Sequence, residues 1–108
     1  MESNLKSLAR GALQSSSSVL YAPPSGIRGI LTSIHLHNQD VSSQNISVWV
    51  VIKNTKVPLC PLEFSFGSNY TIELIDEKLG LEPGDFVLAK ARVNNRVTFN
   101  ITGYEDIL

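Results

Sequence analysis

The chain has one cysteine, Cys60, so no intrachain disulfide can staple it. Its longest apolar runs are too short to span a bilayer. Its 7 glycines stand singly in turn-like contexts, so there is no glycine-rich phosphate loop. Neither charge dominates: 9 Lys and Arg face 10 Asp and Glu, for a net charge of −1. The few cations are scattered, which argues against a nucleic-acid footprint and leaves no expectation of a membrane partner. Lys6 and Arg10 are not followed by an apolar core segment, so no secretory signal is read and synthesis in the cytoplasm is expected.

Catalytic constellations are also missing. Cys60 sits between Pro58 and Pro61 with no His–Asp partner set nearby, and reads as a packed or idle thiol. No serine stands in a nucleophile-elbow context, and the carboxylates lack calcium-loop spacing. His35 and His37, two apart on one strand face, could supply two metal ligands. The sequence names no third, so they read as polar face. The expectation is a non-enzyme with no cofactor and no metal. The triplets at Asn45, Asn69 and Asn100 fit the glycosylation pattern but are expected simply in turns and on outer strand faces.

What the sequence does have is alternation. Ile27 to Asn38 alternates with Ile30, Ile34 and Leu36 on one face and Leu31, Ser33, His35 and His37 on the other. Ile46 to Lys53 puts Ile46, Val48, Val50 and Ile52 on one face. Its other face carries Trp49 and Val51 and is not cleanly polar, which suggests that it too is covered, by a neighbour, the N-terminal segment or a loop. Val57 to Phe66 holds Pro58 and Pro61 and cannot be a regular central strand. Tyr70 to Ile75 alternates again. Pro83-Gly84 predicts a type II turn, and Gly26 a turn with positive φ. Phe86 to Val93 turns Val87, Ala89, Ala91 and Val93 inward and Lys90 and Arg92 outward. Asn94-Asn95 suits a two-residue primed turn, so Val87 to Thr102 is predicted to be a hairpin.

A chain of 108 residues makes one domain, and oligomerisation is a reasonable source of extra stability at that size. Six to eight short strands with almost no helix signal predict an all-β protein, a single antiparallel β-sandwich of jelly-roll or Ig-like type over residues 19–108. Residues 1–18 read as a short N-terminal arm and Ser-rich tether, with Ser3 capping a short helix that holds Leu5, Leu8, Ala9 and Leu13. The arm is either a frayed tail or a segment that orders on a neighbouring subunit.

Leu20, Tyr21, Pro24 and Gly26 are followed by Ile30, Leu31, Ile34, Leu36 and Asn38, then by Ile46, Val48 and Val50. Later come Leu81, Pro83, Gly84 and Asp85, and a closing Val97, Phe99, Ile101, Gly103 and Glu105. In this order, over residues 20–105, the chain resembles small virion structural proteins of tailed bacteriophages. The Pro58–Pro61 insert departs from the simplest form of that pattern. The resemblance implies a β-sandwich located in the virion, most directly a capsid decoration (cement) protein. Such a protein, expected as a homotrimer, stabilises the shell by bridging major capsid subunits. Tail, neck, baseplate and fibre subunits share the pattern. On this reading Leu5, Leu8, Leu13, Trp49 and Val51 are the candidate partner contacts. An alternative of another class is a carbohydrate-binding module in which Trp49, Tyr70 and Tyr104 stack on sugar rings.

Overall fold

The computed structural model describes residues 5–75 and 77–108. The chain is all-β, and two antiparallel sheets pack face to face as a single β-sandwich. Ten strands follow in order: β1 Lys6–Ala12, β2 Ser18–Tyr21, β3 Ile27–Asn38, β4 Gln44–Ile52, β5 Thr55–Pro58, β6 Phe64–Phe66, β7 Thr71–Glu73, β8 Leu79–Leu81, β9 Phe86–Ala91 and β10 Val97–Ile107. The first sheet has the order β1-β10-β3-β7, with β8 also on β3. The second has the order β2-β9-β4-β5, with β6 also on β4. Counting β5 with β6 and β7 with β8 as interrupted edge strands leaves four strands per sheet. Strands from opposite ends of the chain are then neighbours, as in a jelly roll.

Several turns follow the sequence. Asp85 N–H donates to the Glu82 carbonyl at 3.0 Å around Pro83-Gly84, and Gly84 has φ 98°. Gly26 has φ 81° in the turn that Ile27 N–H closes onto the Pro24 carbonyl.

The expected hairpin from Val87 to Thr102 does not form. β9 pairs with β2 and β4, whereas β10 pairs with β1 and β3 in the other sheet. Asn95 has φ 65° and Asn94 does not share the left-handed conformation, so the primed turn is absent there. Both side chains hold the β1–β2 connection instead. Ser15 N–H donates to Asn94 Oδ1 at 2.6 Å, and Gln14 Nε2 donates to Asn95 Oδ1 at 2.9 Å. The two-residue primed turn falls at Lys53-Asn54, with φ 50° and 65°, where Ile52 faces Thr55.

The N-terminal segment is also corrected. Residues 6–12 form β1, an edge strand on β10 and not a helix; Ser3 lies outside the described residues. Ser7 and Ala9 oppose the consecutive residues Thr102 and Ile101, so Leu8 is the extra residue of a β-bulge. After the bulge Ala9 packs against the core, Gly11 stays exposed beside the Phe99 ring, and Leu13 is fully enclosed in the core. The sandwich therefore begins at β1, ahead of the residue 19 boundary expected from the sequence.

A second bulge explains an incorrect face assignment in β3. Ser33 opposes Thr102 and Leu31 opposes Gly103, which leaves Thr32 unopposed. The pleat changes phase there, so Leu31, Ile34 and Leu36 all reach the core, and Ile30 turns out with Tyr104 across from it. Both bulges flank β10 at the same point. Gly103 fits there because β3 crosses so close that a Cβ would run into the Ile30 carbonyl oxygen.

Among the described residues no helix is long and apolar enough to cross a membrane.

Candidate functional site

The outer face of the second sheet is divided in two by chemistry. Strand register aligns Val19, Leu88, Trp49 and Pro58 in one row across β2, β9, β4 and β5. The next row holds Phe86, Val51 and Lys56. These rows are apolar because β4 carries hydrophobic residues on both faces: Ile46, Val48 and Val50 enter the core, and Trp49 and Val51 point away from it. Lys56 lies over the Trp49 ring, its Nζ 4.1 Å from the centroid, and Trp49 keeps only 9% exposure. The chain's own β4–β5 hairpin thus supplies part of the expected cover. Val19 at the edge is 53% exposed, and Phe86 and Leu88 are half-buried.

Moving along the same strands, the face becomes polar. Lys90 faces Ser47, and Arg92 N–H donates to the Asn45 carbonyl at 2.9 Å. Ser15, Asn45, Glu63, Lys90, Ala91 and Arg92 line a shallow cavity of about 410 Å³. Glu63 is set by local geometry. It has φ 54°, its N–H donates to Ser47 Oγ at 3.0 Å, and Ser47 is almost fully buried. Ser47 Oγ in turn lies 3.4 Å from Glu63 Oε2. Cys60, nearby in the β5–β6 connection, is half-buried, and burial pushes its thiol pKa up, away from nucleophilic use.

The first sheet's outer face holds the two histidines. Glu73 on β7 collects four contacts. Its Oε1 accepts from Ser33 Oγ at 2.6 Å and lies 2.8 Å from His35 Nε2; its Oε2 accepts from the backbone N–H groups of Ile34 at 2.9 Å and Ile75 at 2.8 Å. Desolvation works to raise this carboxyl's pKa. The hydrogen bonds from Ser33, Ile75 and Ile34, with His35 beside it, outweigh that and hold the pKa below the usual range. The carboxylate stands between hydroxyl and imidazole, whereas a serine nucleophile needs the imidazole in the middle. The carboxylate also fills the place where the edge strand breaks between β7 and β8, giving the Ile34 N–H a partner there. His37 Nδ1 lies 2.8 Å from Thr71 Oγ1. Among the described residues no group of three or more His, Cys, Asp or Glu side chains is placed to hold a metal.

Of the candidate contacts, Trp49 and Val51 share the second sheet's outer face. Leu5 is 60% exposed, beside the first sheet and away from them. Leu8 packs against the core at its bulge, and Leu13, at 0% exposure, is a core residue with no surface to offer a partner. Nor do Trp49, Tyr70 and Tyr104 form one stacking platform. Trp49 is on the second sheet, Tyr104 is on the first beneath Lys78, and Tyr70 is exposed in the β6–β7 connection. Sequence reasoning missed Phe86 and Leu88, although they share the outward parity already assigned to Lys90 and Arg92. Val19 and Pro58 carried no such signal, because only strand pairing places them in the row.

No protein-family model, curated protein or solved structure matches this chain.

Proposed function

We propose that the protein is a structural component of a virion, a capsid decoration protein that bridges major capsid subunits. The observation that carries this reading is the apolar half-face that Val19, Phe86, Leu88 and Pro58 present around Trp49 and Val51, themselves only 9% and 8% exposed, across four strands of one sheet. The order of sequence motifs from Leu20 to Glu105 supports it, as does a jelly-roll winding of a kind used in viral shells. Fold alone also suits lectins, so the weight rests on the face.

The mechanism is mechanical. Each 100 Å² or so of apolar surface removed from water contributes about 2.5 kcal/mol before association costs. Repeated over a lattice, that resists shell opening. Lys53 and Lys56 fringe the apolar half. The matching capsid surface is therefore an apolar spot with an acidic rim.

The test is co-sedimentation with shells assembled from the major capsid protein of the same genome, with light scattering to report the oligomeric state. Binding that is saturable, and lost in Val19→Asp and Leu88→Asp but kept in Leu5→Asp, supports the reading. Binding that ignores the first two substitutions, or none by the unsubstituted chain, overturns it.

A further inference from the structure

We propose that the cavity between β9, β4 and the β5–β6 connection binds a small hydroxylated carboxylate, the chemistry of a single acidic sugar residue. This site is separate from the apolar half-face and does not depend on its role. Lys90 and Arg92 are two residues apart and both line the cavity. Among the described residues neither has an ion-pair partner, unlike Lys6 with Glu105 or Arg28 with Glu82. Two uncompensated cations on one wall recognise an anion, and Arg92 can do so with two parallel N–H donors.

The other wall narrows the choice. Glu63 is held in place by Ser47 and brings a carboxylate into the same cavity. A bare anion such as acetate would meet that charge with no hydrogen to offer it. A ligand that also carries hydroxyl groups donates to Glu63 while its carboxylate meets Lys90 and Arg92. Ser15 and Asn45 add neutral partners for further hydroxyls. The volume of about 410 Å³ accommodates one sugar ring and its substituents with some water. The cavity lining contains no aromatic side chain, so recognition is polar and weak binding is expected.

The experiment is a titration of the full chain followed by amide NMR, with glucuronate, glucose, acetate and inorganic phosphate as probes at matched ionic strength. Saturable shifts centred on Asn45, Ala91 and Arg92 with glucuronate, weaker with acetate and phosphate and absent with glucose, are expected. Arg92→Ala, at an exposed position, should weaken glucuronate binding roughly tenfold. Glu63→Gln should narrow the gap between glucuronate and acetate, because the repulsion toward a bare anion is gone. An equal response to glucose, a glucuronate response no stronger than that to phosphate, shifts centred elsewhere, or no saturation would each overturn the assignment.

Discussion

Tyr21 of β2 donates its phenolic hydrogen to Glu105 of β10 at 2.8 Å, tying one sheet to the other at the end of the sandwich. Gly29 makes the contact possible, because a Cβ there would meet the Tyr21 ring edge and hydroxyl. Lys6 Nζ reaches the other Glu105 oxygen at 3.0 Å, so β1 joins the same clasp. Burial and the bond to Glu105 raise the Tyr21 pKa far above its ordinary value. Tyr21→Phe is expected to cost about 1–2 kcal/mol at neutral pH. In the native protein the phenol keeps its proton when the unfolded chain has begun to lose it. Its stabilisation is therefore complete below about pH 10 and falls as pH rises beyond that. Urea melts at neutral and alkaline pH check both points: the gap between wild type and Tyr21→Phe should shrink in alkali.

Gly103 and Gly80 flank Ile30 from opposite sides, and only one of them has room for a methyl group. A Cβ at Gly103 would strike the backbone of Ile30 and Leu31, whereas one at Gly80 would meet nothing within 4 Å. Gly103→Ala must push β3 away from β10 at the bulge, and is expected to cost about 3 kcal/mol or more. Gly80→Ala should stay within about 0.5 kcal/mol of the parent. Thermal and denaturant melts of the two variants provide the comparison. Equal melting would mean that the bulge relaxes freely.

These relationships set the boundary of what could be read in advance. The inward sets of β4 and β9 follow from alternation, because from Ile46 to Ile52 and from Val87 to Ala91 one parity is wholly apolar. The turns at Gly26 and Gly84 follow from residue chemistry within four positions. The Thr32 bulge did not show, since Ile30 and Leu31 are both apolar and either could face the core. Leu5, Leu8, Ala9 and Leu13 fit a helical stripe, and only the extra residue at Leu8 reconciles them with a strand. Adjacency of β9 and β10 in sequence suggested a hairpin, but the sheet each strand joins is decided by distant partners. In the sequence Asn38 is only the end of a strand. It is fully buried, and its Nδ2 donates to the carbonyls of Ser42, Phe66 and Gly67, a role that joins the adjoining loop to a segment far away in the chain. In the candidate face, Trp49 and Val51 were legible as anomalies of one strand, while their row partners required the register.

Leu13 and Leu5 separate a sheet strand from a free arm. Leu13 is enclosed among core residues, so Leu13→Ala should destabilise the fold by about 2–5 kcal/mol. Leu5 is 60% exposed, and Leu5→Ala should change stability by less than about 0.5 kcal/mol. Denaturant titration of the isolated chain reads both. If Leu13→Ala melted like the parent, residues 6–13 would not be part of the cooperative unit.

Glu73 makes stability depend on acid. Its pKa is held down in the native state by donors from Ser33, Ile75 and Ile34, with His35 alongside, against desolvation. The unfolded chain therefore takes up a proton at higher pH than the folded one. The stabilisation is present above the ordinary glutamate range, near pH 4, and is lost as pH falls through the lower native value. Glu73→Gln keeps the shape but offers one acceptor oxygen where two serve now, and turns an amide N–H₂ toward the remaining donors. A loss of about 1–3 kcal/mol at pH 7 is expected. Because glutamine does not titrate, the difference between the two proteins should narrow steadily below about pH 4. Glu105, whose pKa is lowered by the Tyr21 hydrogen bond and by Lys6 against its own desolvation, keeps part of the acid sensitivity in the variant. Urea melts of both proteins from neutral to acidic pH measure the narrowing. A constant gap across that range would show that the carboxylate at Glu73 contributes through shape and not charge.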